Sequence, residues 1–120
     1  PVSAVPEFLR QVERELLSRW PEGRIAAIGH AGDGNIHVSL HAPAGMTDRA
    51  AWIERAGEAE SLVNAIAVSL GGSFSAEHGI GQSKRHAMTS HKNPVAMDVM
   101  RSLKTMFDPD SRMNPGKVLP

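Results

Sequence analysis

No cysteine occurs among the 120 residues. That absence excludes disulfides, thiolate metal sites and a cysteine nucleophile, and it leaves the redox compartment undetermined. A metal bound by this chain must therefore use His, Asp or Glu. An excess of charge of either sign is missing too: thirteen Lys and Arg balance thirteen Asp and Glu. With no long-range field, nothing points to nucleic acid or an anionic membrane, and the one basic run, Lys84-Arg85-His86, is short. The longest weakly polar stretch, Leu62 to Leu70, is too short to span a bilayer, and the N-terminus lacks the tripartite pattern of a signal peptide. A soluble, cytoplasmic protein is the expectation. Pro rather than Met at position 1 suggests a chain that has been processed or cut from a longer one.

A chain of this length suits one compact core, burying roughly two-thirds of its extended surface. Phe8, Leu9, Val12, Leu16, Leu17 and Trp20 recur at helical spacing between Pro6, suited to a first turn, and Pro21, suited to a stop. Arg24 to Ile28 reads as a strand, as does Asn35 to His41, where Ile36, Val38 and Leu40 alternate with His37, Ser39 and His41. Thr47 can cap a long helix whose apolar stripe runs Trp52, Ile53, Ala56, Ala59, Val63, Ile66, Ala67 and Leu70, ended by Gly71-Gly72. Ser73 to Ala76 reads as another strand or extended segment, Glu77 to Gly81 as a glycine-dependent turn and Gln82 to Met88 as a helical turn. Asn93-Pro94 opens a last helix with Val99, Met100, Leu103, Met106 and Phe107 on its inner face, and Asp108-Pro109 closes it. These elements predict an α+β fold, a small and mainly antiparallel sheet covered by helices on one side. Neither an internal repeat nor a domain boundary is visible.

Chemistry concentrates around the hairpin. Asp33-Gly34 is a strong signal for a tight turn, which sets His30 opposite His37, and a four-residue turn is expected to give the same pairing. Directly opposed side chains have Cβ atoms roughly 4.5–5.5 Å apart, near enough for two imidazoles to share one ion at about 2.0–2.1 Å per bond. Without the turn, a separation of seven along one strand puts the rings on opposite faces. Glu77-His78, in a glycine-flanked turn, offers a further oxygen or nitrogen ligand; alternation sends the two side chains different ways, so one can bind metal while the other faces a substrate. A solvated turn is the plain alternative. His41 suits a rim or structural role, and His86 and His91 lie in polar surroundings.

Three ordered segments, Gly29-His30-Ala31-Gly32-Asp33-Gly34-Asn35-Ile36-His37, Ser75-Ala76-Glu77-His78-Gly79-Ile80-Gly81, and Phe107-Asp108-Pro109 through Asn114-Pro115-Gly116-Lys117-Val118-Leu119, resemble the C-terminal part of FAD-linked oxidases. That family includes D-lactate dehydrogenases, the glycolate oxidase flavin subunit and D-2-hydroxyglutarate dehydrogenase. The resemblance implies that His30, His37 and Glu77 hold a divalent metal, commonly zinc, that binds a 2-hydroxy acid, with His78 as the base. It implies a substrate contact at Ser39, where some relatives carry Asn, and a flavin neighbour at Asn114. It also implies FAD held mainly by a domain N-terminal to this region, which nothing in these residues resembles.

The resemblance thus implies that the chain is the metal and substrate part of an FAD-dependent 2-hydroxy-acid dehydrogenase, partnered by a flavin-binding domain of the same or another chain, with self-association of the exposed surface as a further expectation. Two other classes stay open: a free-standing His/His/Glu metalloenzyme and a non-catalytic dimerising module. Hydride transfer needs a bound acceptor, so these 120 residues alone are expected to be inactive. Flavin titration of the purified chain checks this: no stoichiometric FAD binding is expected, and tight binding with lactate-driven bleaching refutes it.

Overall fold

The computed structural model describes residues 1–120. They form two compact units, residues 1–77 and residues 78–120. In chain order the first holds a 3-10 turn, Val2–Ala4, then α1 (Val5–Arg19), β1 (Arg24–His30), β2 (Asn35–His41) and α2 (Arg49–Ser69); the second holds α3 (Arg85–His91) and α4 (Pro94–Phe107). Four helices and a two-stranded antiparallel sheet make the α+β class expected from the sequence.

In the first unit, α1 carries Phe8, Val12 and Leu16 one turn apart and ends at Trp20, and Val12 and Leu16 are fully enclosed. They pack with Ala59 and Ile66 of α2, flanked by Leu62, Val63 and Leu70. The sheet adds Ile25, Val38 and Leu40 to the same core. Ile25 pairs with Leu40 and Ala27 with Val38, so one face of the ladder meets the helices. Burying a side chain such as Leu16 is worth about 1.5–3 kcal/mol. One buried polar group stands out in this unit: Asn64 of α2, whose Nδ2 has no hydrogen-bond partner.

Several boundaries differ from the sequence reading. Asp48, not Thr47, caps α2, its Oδ1 accepting from the Ala51 N–H at 3.0 Å. The stripe of α2 enters the core only from Ala59 onward, since Ile53 is 63% exposed and Ala56 is exposed as well. The helix does stop at the glycines: the Gly72 N–H bonds the Ala67 carbonyl at 2.8 Å and the Gly71 N–H bonds Val68, with Gly71 at φ +75°, a Schellman arrangement. Ser73 to Ala76 is not a strand. The Ser73 hydroxyl donates to the Ser75 carbonyl at 3.0 Å and accepts from the Ser75 N–H at 3.2 Å, taking the groups a ladder needs.

In the second unit, Asn93 caps α4 as expected, its Oδ1 accepting from Val95 and Ala96, with Pro94 in the first turn. The expected inner face of α4 is not enclosed. Val99 is 53%, Leu103 46%, Met106 68% and Phe107 75% exposed, and Val95 continues the same stripe. Of the expected face only Met100 is half-buried, at the border of the side that turns inward, where Met97 and Asp108 are buried and Lys104 is half-buried. Helical spacing identifies residues that share a face, not whether another element covers it.

Asp108 organises the chain just beyond α4. Its carboxylate accepts from the Lys104 ammonium, from the Arg112 N–H at 2.8 Å and from the Met113 N–H at 2.9 Å, and Lys104 also donates to the Met113 carbonyl at 2.6 Å. The lysine bond and the two backbone donors hold the Asp108 pKa below the usual carboxylate value, against the opposing effect of burial. A depressed folded pKa stabilises the fold above the unfolded value of about 3.9, and that contribution is lost as pH falls through the folded pKa. Asp108→Asn is therefore expected to lower the thermal midpoint at neutral pH and to flatten its acid dependence below about pH 4. Unfolding curves across that range check it, and a variant that tracks the parent at every pH refutes the clamp.

Candidate functional site

The antiparallel ladder that sends Ile25, Val38 and Leu40 into the core must send the alternate positions outward. The outward rows are Arg24 opposite His41, Ala26 opposite Ser39, Ile28 opposite His37, and His30 opposite Asn35. Three of the chain's six histidines thus stand on one face of a two-stranded sheet. Ile28 among them is 73% exposed, so within the first unit no packed helix occupies that side.

The register differs from the two-residue turn by two positions. Asp33 does not adopt the positive φ that a type I′ turn demands; only Gly34 does, at +71°. The chain instead makes a four-residue connection, Ala31 to Gly34, in which the Asp33 N–H bonds the His30 carbonyl at 3.0 Å and the Gly34 N–H bonds Ala31 at 3.2 Å. Just before the connection the strands approach so closely that a Cβ on Gly29 would lie 2.1 Å from the Asn35 carbonyl oxygen. His30 therefore opposes Asn35 rather than His37. A slip of two preserves the face, so His30 and His37 remain on the same side as diagonal neighbours, roughly 7–8 Å apart at the backbone and within reach of long or aromatic side chains.

Glu77, forty positions after His37 in the sequence, comes to the same place. His37 Nε2 and Glu77 Oε1 are 2.9 Å apart, with the side chains 39% and 48% exposed. Two donor atoms bound to one ion at about 2.0–2.1 Å stand roughly 2.9–3.4 Å apart for bond angles between the square and tetrahedral values, so a cation fits this pair with little movement. Partial exposure leaves the pair accessible to solvent.

Ser39 lies on the same face as His37, one row farther from the turn, and His41 lies beyond it at the Arg24 end. Arg24 and Asn35 share this face and were not singled out from the sequence, although the parity of the two strands marks both. His78 follows Glu77 by one peptide bond and opens the second unit, with Gly79 next at φ +67°. Asn114, at φ +48°, lines a groove of about 310 Å³ in the second unit with Met100, Leu103, Met113, Val118 and Leu119. His86 directs Nδ1 at the Ser83 carbonyl, a local contact at 3.0 Å.

Comparison with known proteins gives a consistent answer. The profile of the family described as FAD linked oxidases, C-terminal domain, matches residues 1–118. The chain is 33% identical over 117 residues to the D-2-hydroxyglutarate dehydrogenase of Stutzerimonas stutzeri, covering 98% of this chain and 25% of that protein. It is 35% identical to a protein named "Probable D-lactate dehydrogenase, mitochondrial" from Danio rerio, covering 99% of this chain and 23% of that one. The glycolate oxidase subunit GlcD of Escherichia coli is 37% identical over 120 residues, 100% of this chain and 23% of the subunit. The chain thus spans about a quarter of the length of these relatives. With three ordered motifs on a small α+β scaffold and a profile match over nearly every residue, this chain belongs to the C-terminal domain family of FAD linked oxidases.

Proposed function

We propose that this chain is the metal- and substrate-binding portion of an FAD-dependent oxidoreductase acting on a 2-hydroxy acid of the D-lactate, glycolate or D-2-hydroxyglutarate class. The observation that carries this reading is the 2.9 Å approach of Glu77 to His37 on the outward face of the hairpin. The names of the relatives support the substrate class.

His37 and Glu77 supply one nitrogen and one oxygen donor, and His30, diagonal to His37 on the same face, supplies a second imidazole. Two imidazoles and one carboxylate suit zinc and leave a position for substrate. When bound, the cation supplies Lewis-acid polarisation of the substrate hydroxyl, and the family's flavin supplies the two-electron acceptor. The Ser39 hydroxyl, exposed on the same face, is suited to hydrogen-bond the substrate. His78, adjacent to Glu77 in the chain, is assigned the proton: a neutral ring nitrogen takes it from the substrate hydroxyl as the Cα–H bond is broken. Asn114, beside its apolar groove in the second unit, is assigned a place next to the flavin.

Zinc titration of the purified chain by calorimetry tests the metal site. One equivalent is expected to bind, His37→Ala and Glu77→Gln are each expected to weaken it by more than about 100-fold, and His41→Ala is expected to leave it within about threefold. Equal affinity in all four proteins removes the site. The proton acceptor is tested separately, in an active flavoprotein that carries these residues. There His78→Gln is expected to lower kcat by about 10²–10⁴-fold with zinc affinity unchanged, and an unaltered kcat removes His78 from the reaction.

A further inference from the structure

Within the second unit the last residues cross back over the loop that comes after His78. The Val118 N–H donates to the Gly81 carbonyl at 2.8 Å, and Arg85 Nε donates to the Leu119 carbonyl at 2.9 Å. Between these two bonds the chain makes a three-residue turn, closed by the Leu119 N–H on the Lys117 carbonyl at 2.7 Å, with Val118 at its centre at φ +63°. A β-branched residue in that conformation is a genuine outlier, and this hand of the three-residue turn is the rare, strained one. Strain of this kind persists only where the surroundings over-determine it. Here they consist of one hydrogen bond on each side of the strained residue, with the Arg85 guanidinium also lying near Gly116.

The loop that receives the tail has little stiffness of its own. Gly79 and Gly81 both have positive φ, +67° and +53°, and only Ile80 separates them. Gly79, directly after His78, and Gly81 both take up glycine's backbone freedom, so contacts from outside the loop bear on its conformation. The Lys84 N–H grips the Ile80 carbonyl at 3.3 Å from one side, and the tail grips Gly81 from the other.

We propose that Arg85 is a positioning residue: through Leu119 and Val118 it straps the C-terminal tail onto Gly81 and so holds the Gly79-Ile80-Gly81 loop that carries His78. The proposal rests on the reading of His78 as proton acceptor for its functional meaning, but not for its structural content. Half-buried Arg85 contacts no substrate in this scheme; it acts through the backbone of the tail. The chemistry at stake is the placement of one ring nitrogen, for which a displacement of about 1 Å can cost about 100-fold in rate.

Amide hydrogen exchange and 15N relaxation on the whole chain, without metal, flavin or substrate, test it. Arg85→Met is expected to speed exchange of the Val118 and Lys84 amides by about tenfold or more, the loss of one charge-assisted bond. It is also expected to lower the His78 backbone order parameter from about 0.85 towards 0.6. The Arg112 and Met113 amides, held by Asp108, should keep their protection, which separates the strap from general loss of stability. Arg85→Lys, which retains a cationic donor, is expected to restore all values to within about threefold. A chain ending at Lys117 should loosen Lys84 and His78 as Arg85→Met does. Unchanged Val118 and Lys84 exchange in Arg85→Met, or equal loosening at Arg112 and Met113, overturns the proposal. These readings concern the strap alone, whereas the His78→Gln assay concerns the base alone, so either can fail without the other.

Discussion

A strand has two faces, and only one of them can be given to the core. In the first unit Ile25, Val38 and Leu40 meet α1 and α2, and that single commitment decides where every other side chain of the hairpin goes. His30, His37, Ser39 and His41 are turned outward together because they have the opposite parity, not because any local preference sends them there. A register error of one would have buried the histidines and exposed the core. The observed difference of two positions from a two-residue turn changes the partner of His30 and nothing about the face.

The helices serve this arrangement in different ways. Leu16 and Val12 of α1 supply the most completely enclosed apolar volume, against which the sheet is pressed. The Schellman end of α2 reverses the chain at Gly71 and Gly72, and within a few residues Glu77 stands 2.9 Å from His37. A carboxylate and an imidazole from distant parts of the sequence thus meet at a partly exposed position.

Much of this was legible from residue types alone. Cap and stop signals located α1, α2 and α4 to within a residue or two, because Asn93, Pro94, Gly71 and Pro6 act through their own backbone chemistry. Alternation in Asn35 to His41 gave the strand and its faces. The features that were not legible depended on choices between near-equal local solutions. Asp33-Gly34 can form a two-residue turn, but a four-residue connection with only Gly34 at positive φ satisfies the same strands. Ser73 to Ala76 has strand-like composition, yet the Ser73 hydroxyl closes a turn on Ser75. The stripe on α4 was identified correctly as a stripe and, Met100 apart, wrongly as an interior, since periodicity contains no information about neighbours. The meeting of Glu77 with His37 had no source in spacing at all; motif resemblance pointed to it.

The division of labour in the hairpin also bears on how such a chain can change over time. Residues on the outward rows contribute little to holding the fold together, so Ser39, His41 or Arg24 can be exchanged for other side chains with small effects on folding. Gly29 has no such latitude, because any side chain there collides with the Asn35 carbonyl on the facing strand. The outward face of the hairpin is thereby open to revision one exposed residue at a time, while the strand crossing at Gly29 tolerates almost none.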